Sequence, residues 1–99
     1  MRALRVRYTP EVSGIIKKLH PTIKALIGAG INDILRAPLV GRELQFELIG
    51  FRSLHVGRHR IIYRINDEES CIEVLFVGPR RDVYESFRDL LLEKMPRLL

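Results

Sequence analysis

The sequence predicts an α+β fold made of an N-terminal strand, a helical hairpin, an antiparallel β-meander and a C-terminal helix. Two observations carry this prediction: apolar residues recur at helical spacing between residues 10 and 37, and the pattern changes to extended segments from residue 44 onward. The chain has 99 residues, of which 46% are hydrophobic and 29% are charged, as in a soluble globular protein. A chain of this length forms one domain, so we assign residues 1–99 to a single unit.

The first part of the chain predicts one strand followed by two helices. Residues 2–8 (RALRVRY) alternate apolar and basic side chains, which is typical of an amphipathic strand. Thr9 and Pro10 indicate a helix start, with an N-cap followed by proline at the first helical position. A second helix, which also begins with proline, covers residues 21–37 (PTIKALIGAGINDILRA). The short connection between the two helices predicts a hairpin packed on a sheet.

The middle of the chain predicts strands. Residues 44–49 (LQFELI) and 51–56 (FRSLHV) are expected to be extended, with Gly50 as a bend or bulge between them. The dipeptide Gly-Arg at 57–58 fits a two-residue hairpin turn with glycine first. The turn leads into a strand at residues 59–65 (HRIIYRI).

The last third predicts one more strand and a helix. Residues 66–70 (NDEES) form a polar turn, and residues 71–77 (CIEVLFV) form a near-continuous apolar strand in the middle of the sheet. Asp82 is expected to cap the final helix, and Glu85 completes a capping-box pattern. The apolar positions with which this helix can dock on the core are Val83, Phe87, Leu90 and Leu91.

The hairpin turn determines which side chains share a face of the sheet. Counting outward from the turn pairs His55 with Arg60 across the two strands, and side chains alternate between faces. The face toward the helices then carries Leu54, Val56, His59, Ile61 and Tyr63. The other face, which we expect to be exposed, carries Ser53, His55, Arg60, Ile62 and Arg64. A one-residue slip would bury an unpaired guanidinium at large cost, so we predict a solvent-facing cationic patch.

A second group of cations precedes the final helix. Arg80 and Arg81 stand directly before the helix start, where free backbone N–H groups and the helix dipole attract anions. Tyr84, in the first turn, presents a phenol near the same place. We predict that Arg80 and Tyr84 converge with Arg60 and His55 on one patch that can bind a phosphodiester.

The distribution of charge fits a nucleic-acid partner. The net charge is +5, with eleven Lys or Arg against four Asp or Glu in residues 1–60 and six against eight in residues 61–99. Thirteen of the seventeen cations are arginine, the side chain suited to bidentate recognition of phosphate. The same composition also fits an arginine-rich solubilising surface.

Several classes of protein do not fit the sequence. No apolar run is long enough to span a bilayer, and the N-terminal MRALRVRY lacks the apolar core of a signal peptide, so we expect a cytoplasmic protein without a membrane partner. Cys71 is a lone cysteine that cannot form an internal disulfide. Since no histidines accompany it at zinc spacing, we predict no metal and no cofactor.

Two stretches of the sequence resemble a known family. GRELQFELIGFRSLHVGRHRIIYRI, at residues 41–65, followed by FVGPRRDVYE, at residues 76–85, is similar to the RelE/ParE superfamily of toxins from bacterial and archaeal toxin–antitoxin systems. The length and the order of elements also resemble that family across essentially the whole chain. The resemblance implies a RelE-like fold of the microbial ribonuclease type.

The RelE branch of the family consists of endoribonucleases that cut messenger RNA, typically on the ribosome and without metal. By position, Arg60 resembles the hairpin arginine that contacts the scissile phosphate, and Arg80 resembles the arginine that stabilises the transition state. Tyr84 resembles the helix tyrosine that orients or assists the 2′-hydroxyl. These three residues and His55, whose side chain type titrates near neutrality, are the expected catalytic residues. The residues expected to bind RNA are Arg52, Ser53, Arg58 and Arg81.

Two departures from the family pattern leave the general base open. Pro79 stands where relatives often have histidine or lysine, and His59 replaces a common aromatic residue. The resemblance therefore allows two alternatives to the ribonuclease, namely a ParE-like inhibitor of DNA gyrase and a catalytically inactive homologue. The partners it implies are messenger RNA, the ribosome and a small antitoxin encoded nearby. We expect the free toxin to be a monomer.

Overall fold

The computed structural model describes residues 4–79, 81 and 83–94. Within them, one five-stranded sheet has the strand order β1-β5-β4-β3-β2. The strands are β1 (Arg5–Tyr8), β2 (Arg42–Glu43), β3 (Arg52–Val56), β4 (His59–Asn66) and β5 (Cys71–Pro79), and the helices are α1 (Pro10–Lys17), α2 (Pro21–Arg36) and α3 (Val83–Lys94). The predicted fold class and the predicted order of elements are confirmed.

Both predicted starts of the helical hairpin are confirmed. The Thr9 hydroxyl accepts a hydrogen bond from the Val12 backbone N–H (3.1 Å), and Pro10 occupies the first turn of α1. In α2 the His20 Nδ1 atom accepts from the Thr22 N–H (3.1 Å), directly ahead of Pro21. Local chain chemistry therefore starts each helix independently of the sheet.

The predicted β-meander is also confirmed, with the predicted register. Gly57 has a φ of +61°, and the strands on either side of it pair Val56 with His59 and His55 with Arg60. β5 lies inside the sheet, antiparallel to β4 and parallel to β1. The middle strand of the sheet is β4. Arg60 thus lies on a strand that is paired on both sides, opposite His55 on β3 and Gly78 on β5.

The prediction that residues 44–49 are extended was wrong. The segment contains a 3-10 turn at Phe46–Leu48, and the strand before it ends at Glu43. The Leu44 N–H donates to the Phe51 carbonyl (2.9 Å), so the chain between them must turn back on itself. Gly50, with a φ of +98°, supplies the predicted bend and closes this loop.

The sheet is covered on both faces, which corrects the expectation that one face is exposed. Helices α1 and α2 bury the first cluster, whose members include Val12, Ile27, Ile31, Ile34, Ile61, Tyr63, Ile72, Val74 and Val77. Helix α3 buries the second cluster, made of Leu44, Leu48, Phe51, Ile62, Leu75, Val83, Phe87 and Leu91. The predicted docking residues of α3 are therefore in the core, with Leu90 partly buried beside them.

Replacing Tyr63 with phenylalanine should lower the free energy of unfolding by about 1–3 kcal/mol. The Tyr63 side chain is fully buried; its hydroxyl donates to the Pro38 carbonyl (2.6 Å) and accepts from the Gly41 N–H (2.9 Å). Removing it leaves two backbone groups without this partner. Urea denaturation measures the effect, and Tyr8→Phe, at a tyrosine that is 40% exposed, is the matched control. Equal losses in the two variants would contradict the assignment.

An ion-pair network ties β1 to β5 and to the turn that precedes β5. Arg7 Nη1 lies 2.8 Å from Glu69 Oε2 and 3.5 Å from Glu73 Oε2, and Arg64 Nη2 lies 2.6 Å from Glu73 Oε1. The hydrogen bond from Arg7, followed by its charge, holds the pKa of Glu69 below its usual range. The stabilisation from this lowered pKa is present above the carboxyl's unfolded-state pKa and is lost as the pH falls through the folded-state pKa.

Replacing Glu69 with glutamine should therefore lower the melting temperature slightly at pH 7 and leave it equal to wild type at strongly acidic pH. Thermal denaturation followed across that pH range measures the difference. Glu68→Gln, at the neighbouring exposed carboxylate, controls for the loss of one negative charge. A difference that persisted unchanged at acidic pH would show that Glu69 acts through something other than its ionised form.

Among the described residues, no helix combines the length and the apolar character that a membrane span requires.

Candidate active site

A guanidinium–phenol pair lies where β4 meets the first turn of α3. Arg60 Nη1 donates to the Tyr84 hydroxyl (2.8 Å), and the guanidinium carbon lies 5.3 Å from the centroid of the Tyr84 ring. Buried Val83 and Phe87, on either side of Tyr84 in α3, anchor the helix that presents the phenol. On β5, the residue opposite Arg60 is Gly78, so no side chain competes with the guanidinium there.

Ser53 lies beneath this pair. Its hydroxyl oxygen is 3.5 Å from Arg60 Nη1 and 3.4 Å from the Tyr84 hydroxyl, and the residue is 4% exposed. The three polar groups are therefore in mutual contact at the edge of the second cluster. Such a contact restricts the positions that the guanidinium can take.

The Nε atom of Arg60 is buried and has no hydrogen-bond partner among the described residues. Leaving a buried donor unsatisfied costs roughly 1–3 kcal/mol, and more for a charged group. Unsatisfied buried polar atoms of this kind are few in native structures. The Nε atom of Arg60 therefore has a hydrogen-bonding capacity that the described residues do not use.

A hollow of about 380 Å³ opens beside the pair. It is lined by Val40, Arg42, Ser53, Leu54, His55 and Arg60. His55 is exposed and pairs with Arg60 across the hairpin, as predicted. Two arginines and a histidine around one hollow give it a cationic lining, and arginine is the side chain suited to bidentate contact with phosphate oxygens.

Arg42 is the member of this group that the sequence did not reveal. It pairs with Ser53 between β2 and β3, so its side chain shares the face of Ser53 and His55. β2 has only two residues, and no apolar alternation marks it as a strand. In the sequence, Arg42 lies close to the predicted strands, but this closeness does not show which residue it pairs with.

The other predicted RNA-binding arginines lie in different settings. Arg52 alternates to the opposite face from Ser53, and its Nη1 donates to the carbonyls of Gly41 (2.7 Å) and Leu39 (3.5 Å). Arg58 is exposed at the hairpin turn, and Arg81 is exposed ahead of α3. The predictions that involve Arg80, and Asp82 as the cap of α3, fall outside the described residues.

One group of potential metal ligands lies far from this site. The ligand atoms of Glu69, Cys71 and Glu73 all lie within 4.8 Å of one another. Both carboxylates are already paired with Arg7, and Cys71 is buried. Cys71 and Gly78 are seven residues apart on β5, which is about 23 Å along a strand. Glu69 and Glu73 belong to the ion-pair network that joins the strands, and Cys71 is a buried thiol between them.

The fold and the site define a class of small α+β domain with an arginine-lined hollow beside an antiparallel hairpin, on which a C-terminal helix packs. Residues 6–84 match the family model described as the ParE toxin of type II toxin–antitoxin systems. The chain is also 38% identical to Toxin RelG of Mycobacterium tuberculosis. The match extends over 81 residues, which are 80% of this chain and 93% of that protein. The chain therefore belongs to the RelE/ParE superfamily and is a toxin of a type II toxin–antitoxin system.

Solved structures agree with this membership. The toxin–antitoxin complex RelBE2 of M. tuberculosis contains a chain that is 36% identical, with a TM-score of 0.71 over 80% of this chain and 100% of that one. A mutant of the toxin RelE of E. coli in the free state is 16% identical, with a TM-score of 0.77 over 99% and 100% of the two chains. The second likeness shows the fold alone, and it extends over nearly the whole molecule.

Proposed function

We propose that this toxin is a metal-independent endoribonuclease that cuts messenger RNA and thereby stops translation. The observation that carries the proposal is the contact between Arg60 and the Tyr84 hydroxyl, beside a hollow that also presents His55 and Arg42. RNA supplies its own nucleophile, so such a site needs to align the 2′-hydroxyl and stabilise charge. The relative named Toxin RelG supports the RelE-like branch.

The groups around the hollow suit cleavage by the 2′-hydroxyl. The 2′-oxygen attacks the adjacent phosphorus and loses its proton, and the bond to the 5′-oxygen breaks as that oxygen gains a proton. Arg60 and Arg42 would face the non-bridging oxygens, where negative charge develops, and electrostatic stabilisation of this kind is commonly the largest catalytic contribution. Tyr84 would orient the 2′-hydroxyl, and His55 would accept or donate a proton at the mouth.

We further propose that Arg80, which precedes α3 in the sequence, adds a third positive charge to those of Arg60 and Arg42 and stabilises the transition state. Arg58 and Arg81, which are exposed, would contact phosphates on either side of the cleaved bond. Arg52 and Ser53 would support the RNA-binding groups indirectly, each through a different contact. Arg52 holds the chain at residues 39–41 through its bonds to two carbonyls, and Ser53 supports the Arg60–Tyr84 pair.

Induced expression in a heterologous host tests the proposal. Translation should stop, and primer extension should map cleavage inside codons of translated messages. Comparing a translating extract with the same RNA free of ribosomes would show whether the ribosome is required. Messages that remain intact at matched protein levels would refute the ribonuclease proposal.

A second candidate function is inhibition of DNA gyrase. It is favoured by the match of residues 6–84 to the ParE toxin family. Supercoiling assays with purified protein separate the two candidates, because an RNA-cutting toxin should leave gyrase unaffected. A protein that affects neither RNA nor gyrase would be a catalytically inactive homologue. Pro79, which stands where relatives often have histidine or lysine, is the reason for considering this alternative.

We also propose that a small antitoxin neutralises this toxin. Solved structures of relatives include the RelBE complex of E. coli and the RelE–RelB complex of Pyrococcus horikoshii. Beside the helical hairpin, this chain has a hollow of about 390 Å³ whose lining includes Tyr8, Ile16, Lys17, Lys24 and Ile31. An acidic, amphipathic helix suits such a groove on a chain of net charge +5. Co-expression with the product of the adjacent reading frame should restore growth, and its failure to bind would contradict the assignment.

A further inference from the structure

Another hollow, of about 510 Å³, adjoins the candidate active site; we call it the second hollow, and the hollow of about 380 Å³ beside Arg60 the first. It is lined by Arg42, Glu43, Leu44, Gln45, Phe46, Leu48, Tyr84 and Arg88. Arg42 lines both hollows, and Tyr84 lines this one while its hydroxyl contacts Arg60. The two hollows are therefore neighbouring parts of one surface, with Arg42 and Tyr84 between them.

Phe46 is the unusual residue of the second hollow. Its side chain is 84% exposed, the highest value among the exposed large hydrophobic residues of the described chain. Its backbone has a φ of +57°, in the left-handed region that residues other than glycine rarely adopt. The position thus combines backbone strain with an exposed aromatic ring, and neither feature stabilises the free protein.

The charges around the second hollow differ from those of the first. Arg42 and Arg88 are offset by Glu43 and Glu47, and Arg88 Nε lies 2.6 Å from Glu47 Oε1. The floor is apolar, because Leu44 and Leu48 are buried. A near-neutral hollow with an aromatic wall and the amide of Gln45 suits an uncharged, flat, polar-edged group. A phosphate fits the first hollow better.

We propose that Phe46 is a stacking platform for a nucleobase of single-stranded RNA, one that neighbours the nucleotide cleaved at Arg60. This role of Phe46 rests on the proposed ribonuclease function. A strand whose phosphate lies against Arg60 and Arg42 would reach the second hollow by way of Arg42 and Tyr84, which lie between the two hollows. Bases stack on exposed aromatic rings without regard to sequence, while hydrogen bonds to their edges add preference. Gln45 is the group placed to read that edge.

Binding of short RNAs tests the proposal independently of cleavage. The probe is a fluorescent RNA hexamer with 2′-O-methyl groups, which cannot be cut, together with six versions that each lack one base. In the wild-type protein, one of the abasic positions should weaken binding by roughly tenfold or more, the effect of losing one base–aromatic stack. In Phe46→Gly, binding of the intact hexamer should fall by a similar factor, and the penalty at that abasic position should disappear.

Phe46→Gly should at the same time raise the melting temperature, because glycine adopts a positive φ without strain. A merely structural role for the ring would lower it. Phe46→Trp should retain the binding and its abasic pattern, and Ile49→Ala, at another exposed apolar side chain of the same loop, should leave both unchanged.

The outcomes separate this proposal from the ribonuclease proposal. Intact messages in the expression experiment, together with the expected hexamer results, would refute cleavage and leave the base subsite standing. Wild-type hexamer binding that is absent, or unaffected by every abasic position, would overturn the subsite. The remaining outcome is a Phe46→Gly protein that binds the hexamer like wild type and no longer binds the antitoxin. That result would assign the Phe46 ring to the antitoxin interface and would also overturn the base subsite.

Discussion

Replacing Arg60 with alanine should lower the rate of RNA cleavage by about 10²–10³-fold and leave the fold intact. Removing one group that stabilises developing negative charge costs an enzyme about this much. The guanidinium contacts Tyr84 and Ser53 at the edge of the hollow, and among the described residues its buried Nε has no hydrogen-bond partner. Arg60 belongs to neither buried hydrophobic cluster, so its loss should fall on activity more than on stability. Cleavage of a ribosome-bound message in a purified system measures the rate.

Two further variants make the Arg60 experiment specific. Arg60→Lys keeps the charge but lacks the planar fork, so we expect it to recover only part of the lost rate. Arg36→Ala removes one positive charge from the exposed end of α2, where it pairs with Asp33, and should cut at the wild-type rate. A folded Arg60→Ala protein with wild-type cleavage would exclude Arg60 from the catalytic machinery. An equal loss of cleavage rate in Arg36→Ala would show that the effect of Arg60→Ala comes from the change in net charge alone.

Replacing Phe87 with alanine should lower the free energy of unfolding by about 3–5 kcal/mol, the usual cost of deleting a fully buried phenylalanine. The Phe87 ring meets Phe51 edge to face, with centroids 5.1 Å apart, and lies 6.3 Å from Phe76. Among the described residues, it is one of the three fully buried side chains with which α3 packs on the second cluster. Because stability in small domains amounts to about 5–15 kcal/mol, this variant loses a large part of the total.

The Phe87 variant should lose activity beyond its loss of folded protein, because the same helix carries Tyr84. Phe87→Leu, which keeps most of the volume, should remain folded and show a smaller decrease in both properties. Leu92→Ala, at a position of α3 that is 62% exposed, is the control. Chemical denaturation and cleavage assays at low temperature measure the two effects separately. If Phe87→Ala lowers the free energy of unfolding by less than about 1 kcal/mol, the Phe87 ring does not hold α3 on the sheet.

The parts of the fold that the sequence predicted depend on local chemistry. Thr9 with Pro10 starts a helix through a hydrogen bond and a fixed φ, whatever the rest of the chain does. Gly57 at a two-residue turn sets the register of β3 and β4, and the His55–Arg60 pair follows by counting. The same alternation of side chains assigned Leu54, Ile61 and Tyr63 to the face that packs on the helical hairpin.

The errors have one cause in common, which is contact between distant segments. LQFELI at residues 44–49 has the composition of a strand, but burial of Leu44 and Leu48 under α3 and the bond from Leu44 to Phe51 make it turn. Ser53 alternates to the expected face, yet α3 covers that face and places the hydroxyl under Tyr84. No pattern within either segment carries information about α3.

The sequence by itself determined the class of the fold, the helix starts, the hairpin register and the membership of a toxin superfamily, because turns, caps and side-chain alternation are properties of neighbouring residues. Only the tertiary structure decided which groups surround Arg60. It brought Tyr84 from α3 to within hydrogen-bond distance, added Arg42 from a two-residue strand, and turned Arg52 away toward backbone carbonyls. These contacts join residues far apart in the chain, and their geometry follows from packing α3 and β2 against the meander, which no local preference specifies.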